Sequence, residues 1–528
     1  MLDLRLSDAR ASNRPVRRFR AGAIGRDMSG PLFIGLDAGT SLVKAAIFDL
    51  SGRQLGEAWS RTSISRPGPG WSELDPDESW QAALGVLRRL VDECGADRAL
   101  IAGIGLTGAM VGAWVVDEAG NALRPGITWE DSRTQRLIDE KLEADPGLMS
   151  RIFASSGSTM QQGCTLPLLR WLVENEPHVL ARARHVMSYK DFLRMKLTGL
   201  AATDRSEASV IPGSARERTR SDAMIALFGL AEVAHLLPPV MESETFIGGL
   251  LPAVADAIGL PPGLPVAIGA GDVAATIIGA GGFATGAATA VLGTTCMVGI
   301  CHDRPIFEPA DVGLLFTLPG HRWYRAMVNV AGTLNLDWAF SALAPDIATH
   351  PDRFEMMTAM VQAVPPGADG LVYLPYLSES GIIAPVVEQR ARAQFYGLTP
   401  RHQRPALFRA VLEGVAFAMR DLFDALGFSG ERVLLTGGGA QNPTWVQMVA
   451  DASGLHVDVP DGTQFGARGA ALLAATAAGH FSSVGEASAS VAGRDGATYA
   501  PDSRGTGTAA AIARYREARD RLLRPLQN

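Results

Sequence analysis

"FIGLDAGTSLVKAAIFD", from Phe33 to Asp49, sets the reading of the whole chain. Two runs of strand-forming residues flank Asp37-Ala38-Gly39-Thr40-Ser41, so the stretch predicts a hairpin of Leu32–Leu36 and Leu42–Asp49. An ordinary two-residue turn needs only Asn-Gly or a similar pair. Here the connection carries an acid, a glycine and two hydroxyls, with Lys44 just beyond. Gly39 is free to take a positive φ and leaves room for backbone N–H groups to approach a phosphate. Thr40 and Ser41 add hydroxyl donors, and Lys44 adds positive charge. Asp37 would repel a polyphosphate unless a divalent cation lay between them, so the stretch points to phosphate with Mg²⁺. A hairpin with merely decorative polar residues is the bland alternative.

At 528 residues the chain is too long for one ordinary domain, and a 47% hydrophobic content supports large cores. A formal net charge of −7 argues against a nucleic-acid partner, whose footprint is basic. The four cysteines (Cys94, Cys164, Cys296 and Cys301) show no Cys-x-x-Cys pair and no disulfide spacing, which suits a reducing cytoplasm. Residues 1–27 are arginine-rich without an apolar stretch, unlike a secretory signal. Residues 1–30 therefore read as a disordered tail or as the product of a start placed upstream of Met28. The run from Val273 to His302 carries no charged residue, yet glycines and threonines interrupt it, so it reads as buried turns and strands rather than a membrane span.

Strand-like runs alternate with helix-like ones, an α/β pattern. A third strand is expected near Gln54–Trp59, a helix over Glu78–Cys94, strands at "ALIAGIGLT" and "AWVVD", and a long helix over Arg404–Leu426. The segment Gly259–Asp272 has the proline and glycine punctuation of a boundary, dividing the chain into a lobe over 31–262 and a lobe over 263–528. "TAVLGTTCMVGIC" repeats the opening pattern of strand, Gly-Thr turn and strand. Two such lobes, the product of an ancient duplication, would face each other across a cleft, with flexible points near Gly259–Gly269.

The turn Gly293-Thr294-Thr295 offers the chemistry of the first hairpin a second time. A third turn, Gly437-Gly438-Gly439-Ala440, follows the strand "RVLLT" and precedes Asn442, which suits close approach of a flat or phosphorylated ligand. Asp272 is the lone charge in a glycine-rich apolar region. A buried acid is costly unless it is paired or used, and a carboxylate here could take the proton from a hydroxyl attacking a γ-phosphate. A turn or capping aspartate is the alternative. Gly103-Ile104-Gly105-Leu106-Thr107-Gly108 matches the dinucleotide pattern, but a strand follows where that site needs a helix. There is no GxxxxGK[ST] phosphate loop, and the nine histidines lack metal-ligand spacing.

With these motifs assembled, the chain resembles the FGGY carbohydrate kinases, from about Leu32 to about Gly479. The resemblance runs through "DAGTSLVK" at Asp37, "GWSELDP" at Gly70, "GITWEDSRT" at Gly126, "YKDFLRMKLTG" at Tyr189, "GAGDVAA" at Gly269, "VLGTT" at Val291, "AVLEGVA" at Ala410 and "TGGGAQNPTWVQMVAD" at Thr436. It implies two actin-like (RNase H-like) ATPase lobes around a central cleft, the first binding sugar and the second nucleotide. It also implies ATP and Mg²⁺, with Asp272 as the catalytic base and Asp37 at the metal and phosphates. Gly39, Thr40, Ser41, Lys44, Gly293, Thr294 and Thr295 would surround the phosphates, and Gly332, Gly438, Gly439 and Asn442 the rest of the nucleotide. A homodimer is a further expectation, homodimers being common in the family.

Departures from the family pattern bear on the substrate. Glycerol kinases carry Arg-Glu and xylulokinases Met-His where this chain has Met110-Val111 in its sugar-pocket segment. An apolar wall forfeits a hydrogen bond to a hydroxyl, and such bonds discriminate strongly. Gly381-Ile382-Ile383 replaces a charged loop, and Gly332 lies one residue further from Trp338 than in the glycerol kinase pattern. The expected reaction is phosphoryl transfer to a ketopentose of the xylulose or ribulose type, or to a four- to five-carbon polyol such as erythritol. The alternatives are a glycerol kinase and a regulatory relative that binds sugar or nucleotide without turnover. A nuclease on an RNase H-like fold is disfavoured by the acidic charge and the lack of a basic stripe.

Overall fold

The computed structural model describes residues 30–159, 162–493, 496–502 and 506–524. The expected tail, apart from Gly30, lies outside the described residues. The chain forms two compact units. The first runs to Phe283 and takes in Phe316–Arg322 and Gln464–Val491; the second holds Ala284–Leu315, Trp323–Thr463 and the chain from Ala492.

In the first unit, β1 (Leu32–Ala38) and β2 (Leu42–Asp49) form the expected hairpin, continued by β3 (Gln54–Arg61). The helix α1 (Pro76–Glu93) starts on Asp75, whose side chain accepts from the N–H groups of Asp77 and Glu78, and it buries Trp80, Leu84, Leu87 and Leu90. β4 (Ile101–Gly108) pairs parallel to β1. Next come α2 (Tyr189–Thr198), α3 (Arg205–Val210), β5 (Phe246–Gly249), β6 (Pro265–Ala267), β7 (Ala270–Gly271) and α4 (Asp272–Ala280). The sheet order is β5-β6-β4-β1-β2-β3, with β7 paired to the end of β4. The hairpin register runs to Ala38 opposite Val43, so Asp37 and Ala38 belong to the strand and Gly39-Thr40-Ser41 alone make the turn. Gly39 does not take a positive φ. A Cβ there would stand 2.8 Å from the Leu42 carbonyl oxygen, so close approach explains the glycine.

The second unit repeats the plan. β8 (Ala288–Leu292) pairs antiparallel with β9 (Cys296–His302), which pairs antiparallel with β10 (Arg322–Asn329). After α5 (Arg404–Ala425), β11 (Arg432–Thr436) lies parallel to β8; α6 (Pro443–Ser453) follows, and β12 (His456–Val459) lies parallel to β11. β13 (Ala497–Tyr499) closes that edge antiparallel, as β5 closes the first sheet. The repeat expected from two Gly-Thr turns thus extends beyond the hairpins: each sheet has three antiparallel strands, two parallel ones and an antiparallel edge, and the second adds the strand Leu314–Leu318 beyond β10.

Beyond the expected boundary at 262/263 the chain returns to the first unit. Helix α7 (Phe465–Ala477) belongs to the first unit, far from it in sequence. A Cβ on Gly35 of β1 would lie 1.7 Å from the Ala467 carbonyl oxygen, and one on Gly105 of β4 would lie 1.9 Å from that of Ala470. On its other side α7 meets α4, where a Cβ on Gly469 would lie 1.9 Å from the Ala275 carbonyl oxygen. These are backbone-to-backbone contacts that only glycine admits. They also explain the dinucleotide-like pattern, whose Gly105 serves helix packing and whose Gly108 makes room for the Ala38 carbonyl.

Gly259–Gly269, expected to flex between lobes, lies within the first unit. Gly259 caps the helix Pro252–Ile258, and a Cβ on Gly269 would stand 1.8 Å from the Leu106 carbonyl oxygen. The charge-free run from Val273 forms α4, β8 and β9, and no described helix is long and apolar enough to cross a membrane. No disulfide joins the four cysteines.

Gly35→Ala is expected to cost at least ~3 kcal/mol, because the obstruction is backbone and cannot rotate away. Gly85→Ala, in α1 with nothing within 4 Å of the new Cβ, is expected to stabilise by up to ~1 kcal/mol. Chemical denaturation of the two variants checks the opposite signs.

Candidate active site

Asp37 stands near the end of β1, with Lys44 of β2 opposite it on one side and Thr107 of β4 on the other. A Cβ on Gly466, the second residue of α7, would lie 3.1 Å from Asp37 Oδ2, so the carboxylate sits against the positive end of that helix. Burial nevertheless raises its pKa, with Lys44 opposing. The Thr107 hydroxyl is buried and has no hydrogen-bond partner.

Asp272 opens α4 directly after β7. Because β7 pairs with β4 at Ala270–Thr107 and Gly271–Gly108, the end of β4 lies between the backbones carrying the two acids. Asp272 Oδ1 accepts from the Val273 N–H at 2.8 Å. Burial and then the charge of Asp37 push the half-buried Asp272 carboxyl up to about 7. A carboxylate with that pKa can accept a proton at neutral pH and release it again. A half-buried acid whose ionisation a neighbouring acid opposes also suits a divalent cation. Among the described residues no group of three or more His, Cys, Asp or Glu could hold a metal alone. Mg²⁺ commonly needs only one or two carboxylates besides phosphates and waters, so the donor set fits it.

Behind the acids lies a buried ionic cluster. Lys190 Nζ of α2 meets Asp191 Oδ1 at 2.6 Å and Asp204 Oδ2 at 2.5 Å, and Arg194 donates to Asp191 Oδ1 at 2.7 Å and to the Ile268 carbonyl at 2.9 Å. Asp204 caps α3 by accepting from the N–H groups of Ser206 and Glu207, and it also accepts a hydrogen bond from the Ser206 hydroxyl. Ser206 Oγ in turn accepts from Gly271 N–H at 2.9 Å. The backbone leading into Asp272 is thus fixed at Ile268 and at Gly271. Met110 and Val111 are buried on the loop after β4. A Cβ on Gly271 would lie 2.4 Å from Met110 Sδ, which places this expected substrate residue beside the backbone of Asp272.

In the second unit the three glycine-bearing segments converge on the β8–β9 turn. Leu292 pairs with Cys296, leaving Gly293-Thr294-Thr295 as the turn with both threonines exposed. Gly332 donates its N–H to the Thr294 carbonyl at 2.7 Å, and a Cβ on it would lie 2.4 Å from the Gly293 carbonyl oxygen. Gly437, with φ of 95°, packs on the Leu292 backbone, and Gly439 packs on the Leu292 side chain. Gly438 is exposed with nothing near a would-be Cβ. Asn442, expected along the nucleotide, caps α6: its Oδ1 accepts from Trp445 N–H and its Nδ2 donates to Thr358 Oγ1, both at 3.0 Å. In the altered loop Ile382 joins the core and bridges Glu388, so the missing charge is replaced by packing.

Sequence reasoning missed Thr107, Lys190, Ser206, Glu207 and Gly466. "TDRSEAS" held a capping signal, Asp204 followed by Glu207, but nothing local tied it to Asp272. The N-terminal domain of the FGGY family of carbohydrate kinases matches residues 32–279 and its C-terminal domain matches 288–478. The chain belongs to that family. It is 33% identical over 457 residues to the xylulose kinase of Escherichia coli (strain K12), covering 85% of this chain and 90% of that one. It is 32% identical over 509 residues to the erythritol kinase of Brucella abortus (strain 2308), covering 93% and 96%. The crystal structure of a xyloylose kinase from Brucella ovis matches with a TM-score of 0.79 and 31% identity, over 93% of this chain and 98% of that one. This FGGY member is an ATP-dependent carbohydrate kinase.

Asn442→Ala is expected to cost ~1 kcal/mol through the lost cap, whereas Asn442→Asp retains most of it. Thermal unfolding of the two variants distinguishes capping from any nucleotide contact.

Proposed function

We propose that this kinase transfers the γ-phosphoryl group of ATP to a primary hydroxyl of a ketopentose or a four- to five-carbon polyol, with Asp272 as general base. The observation carrying this reading is the placement of Asp272 at the start of α4, with the end of β4 between its backbone and that of Asp37; burial and that neighbouring acid raise its carboxyl to about 7. Asp272 accepts the hydroxyl proton as the acceptor oxygen bonds to the γ-phosphorus and the bond to the bridging oxygen breaks, releasing ADP. Mg²⁺, when bound, supplies charge neutralisation at the phosphates, and Asp37 is the residue that would hold it, directly or through water. Thr40, Ser41, Thr294 and Thr295 supply hydroxyl donors. Met110 and Val111 form the apolar side of the acceptor site, which supports an acceptor other than glycerol. The similarity to xylulose and erythritol kinases supports the substrate class. A cytoplasmic setting, where ATP is at hand, fits four cysteines outside any disulfide.

The test is ADP release with ATP–Mg²⁺ over a panel of ketopentoses, tetritols, pentitols and glycerol. Asp272→Asn is expected to lower kcat by roughly 10²–10⁴-fold. The base works only when deprotonated, so kcat/KM for the acceptor is expected to fall as pH drops through about 7. Asp37→Asn, which removes the neighbouring negative charge, is expected to move that limb to lower pH while slowing the reaction. No turnover with any acceptor would end this reading.

A further inference from the structure

The loop after β4 holds an unusual backbone. Val111 has φ of 57°, in the left-handed region that a β-branched residue rarely adopts. Its surroundings account for the conformation. Ala109 N–H goes to the Ala38 carbonyl, Gly112 N–H to the Gly163 carbonyl and Ala113 N–H to the Ile127 carbonyl, each at 3.0 Å. Val111 N–H alone of these four goes to a side chain, donating to Glu207 Oε1 at 2.7 Å. Glu207 is buried in the first turn of α3, next to Ser206, whose Oγ accepts from Gly271 N–H. One short helix, capped by Asp204, therefore grips two backbones: the one leading into Asp272 and the one carrying Met110 and Val111.

We propose that Glu207 is a positioning residue for acceptor specificity: by accepting the Val111 N–H it holds Val111 in its left-handed conformation and so sets the apolar wall of the acceptor site against the backbone of Asp272. This rests on the acceptor-site role given above to Met110 and Val111. Glu207 does not touch the reacting atoms in this scheme; it acts through the loop. Burial first, together with Asp191 and Asp204, raises its carboxyl to about 8 against the pull of Lys190 and the Val111 N–H, so a neutral side chain suits the place. Glu207 Oε2 and Ser188 Oγ have no hydrogen-bond partner, and both residues line one cavity of about 20 Å³ together with Thr203 and Arg220. A glutamine amide would keep the acceptor oxygen on Val111 and find polar neighbours for its nitrogen there.

The test compares Glu207→Ala and Glu207→Gln in the full chain. Loss of a hydrogen bond to a buried strained amide is expected to raise the acceptor KM of Glu207→Ala about tenfold or more, and to change its kcat/KM ratio between two acceptors. The KM for ATP is expected to stay within about twofold, and Glu207→Gln to recover the acceptor KM to within about threefold. Val111→Gly placed in the Glu207→Ala protein, where the left-handed φ carries no penalty, is expected to restore part of the loss. Hydrogen exchange over Gly108–Ala113 gives a readout that needs no acceptor: exchange at Val111 should quicken at least tenfold in Glu207→Ala and little in Glu207→Gln. Unchanged exchange there overturns the proposal even if no acceptor in the panel is ever phosphorylated. Equal losses for every acceptor, or losses shared with ATP and not recovered by glutamine, overturn it as well. Should the alanine variant fail to fold, exchange in Glu207→Asp, whose shorter side chain withdraws the oxygen from Val111, decides the same question.

Discussion

Everything at the first-unit site depends on how closely α7 lies on the sheet. Gly35 and Gly105 remove the side chains that would separate the helix from β1 and β4, and Gly469 does the same between α7 and α4. Close-packed interiors do not absorb an extra methyl at backbone contact, so this arrangement has little latitude. It brings the N-terminus of α7 to Asp37 and clamps α4, whose first residue is Asp272. The same contact therefore fixes both the partial positive charge beside one acid and the direction of the other.

Held this way, the two acids are electrostatically uneasy without a cation. Lys44 and the helix end offset part of the cost at Asp37, and the Val273 N–H offsets part at Asp272, yet both carboxyls stay raised. Sites tuned for proton transfer show this pattern, with burial and a like charge moving a group toward neutrality. The ionic cluster of Lys190, Asp191, Arg194 and Asp204 differs in kind. Its two cations balance two anions, and its bonds end on the backbone at Ile268 and, through Ser206, at Gly271. It holds geometry rather than carrying the proton.

Much of this was legible locally. The hairpin at Phe33–Asp49, its echo at Ala288–His302 and the isolation of Asp272 in an uncharged run all follow from strand alternation, turn chemistry and the cost of burying charge. What escaped was non-local. Nothing in "FGARGAALLAATA" says that its small residues fit glycines more than 350 positions earlier, so a linear boundary separates α7 from the sheet on which it packs. Glu207 reads as the third residue of a capped helix, and its grip on Val111 appears only when the loop's N–H groups are traced one by one. Asn442 held a further signal in plain view: its position before Pro443 spells a helix cap, which its side chain provides.

The two hairpins share a plan and differ in one consequential residue. Aligned at their Gly-Thr turns, Asp37-Ala38-Gly39-Thr40 corresponds to Val291-Leu292-Gly293-Thr294. The first strand therefore carries an acid one residue before its end, and β8 carries the β-branched Val291 at the matching position. Leu292 supplies what the acid's counterpart does not: its backbone and side chain form the seat for Gly437 and Gly439. The same hairpin plan therefore holds an acid beside the N-terminus of α7 in the first unit and, in the second, a strand end on which the glycine turn at Gly437 and Gly439 packs.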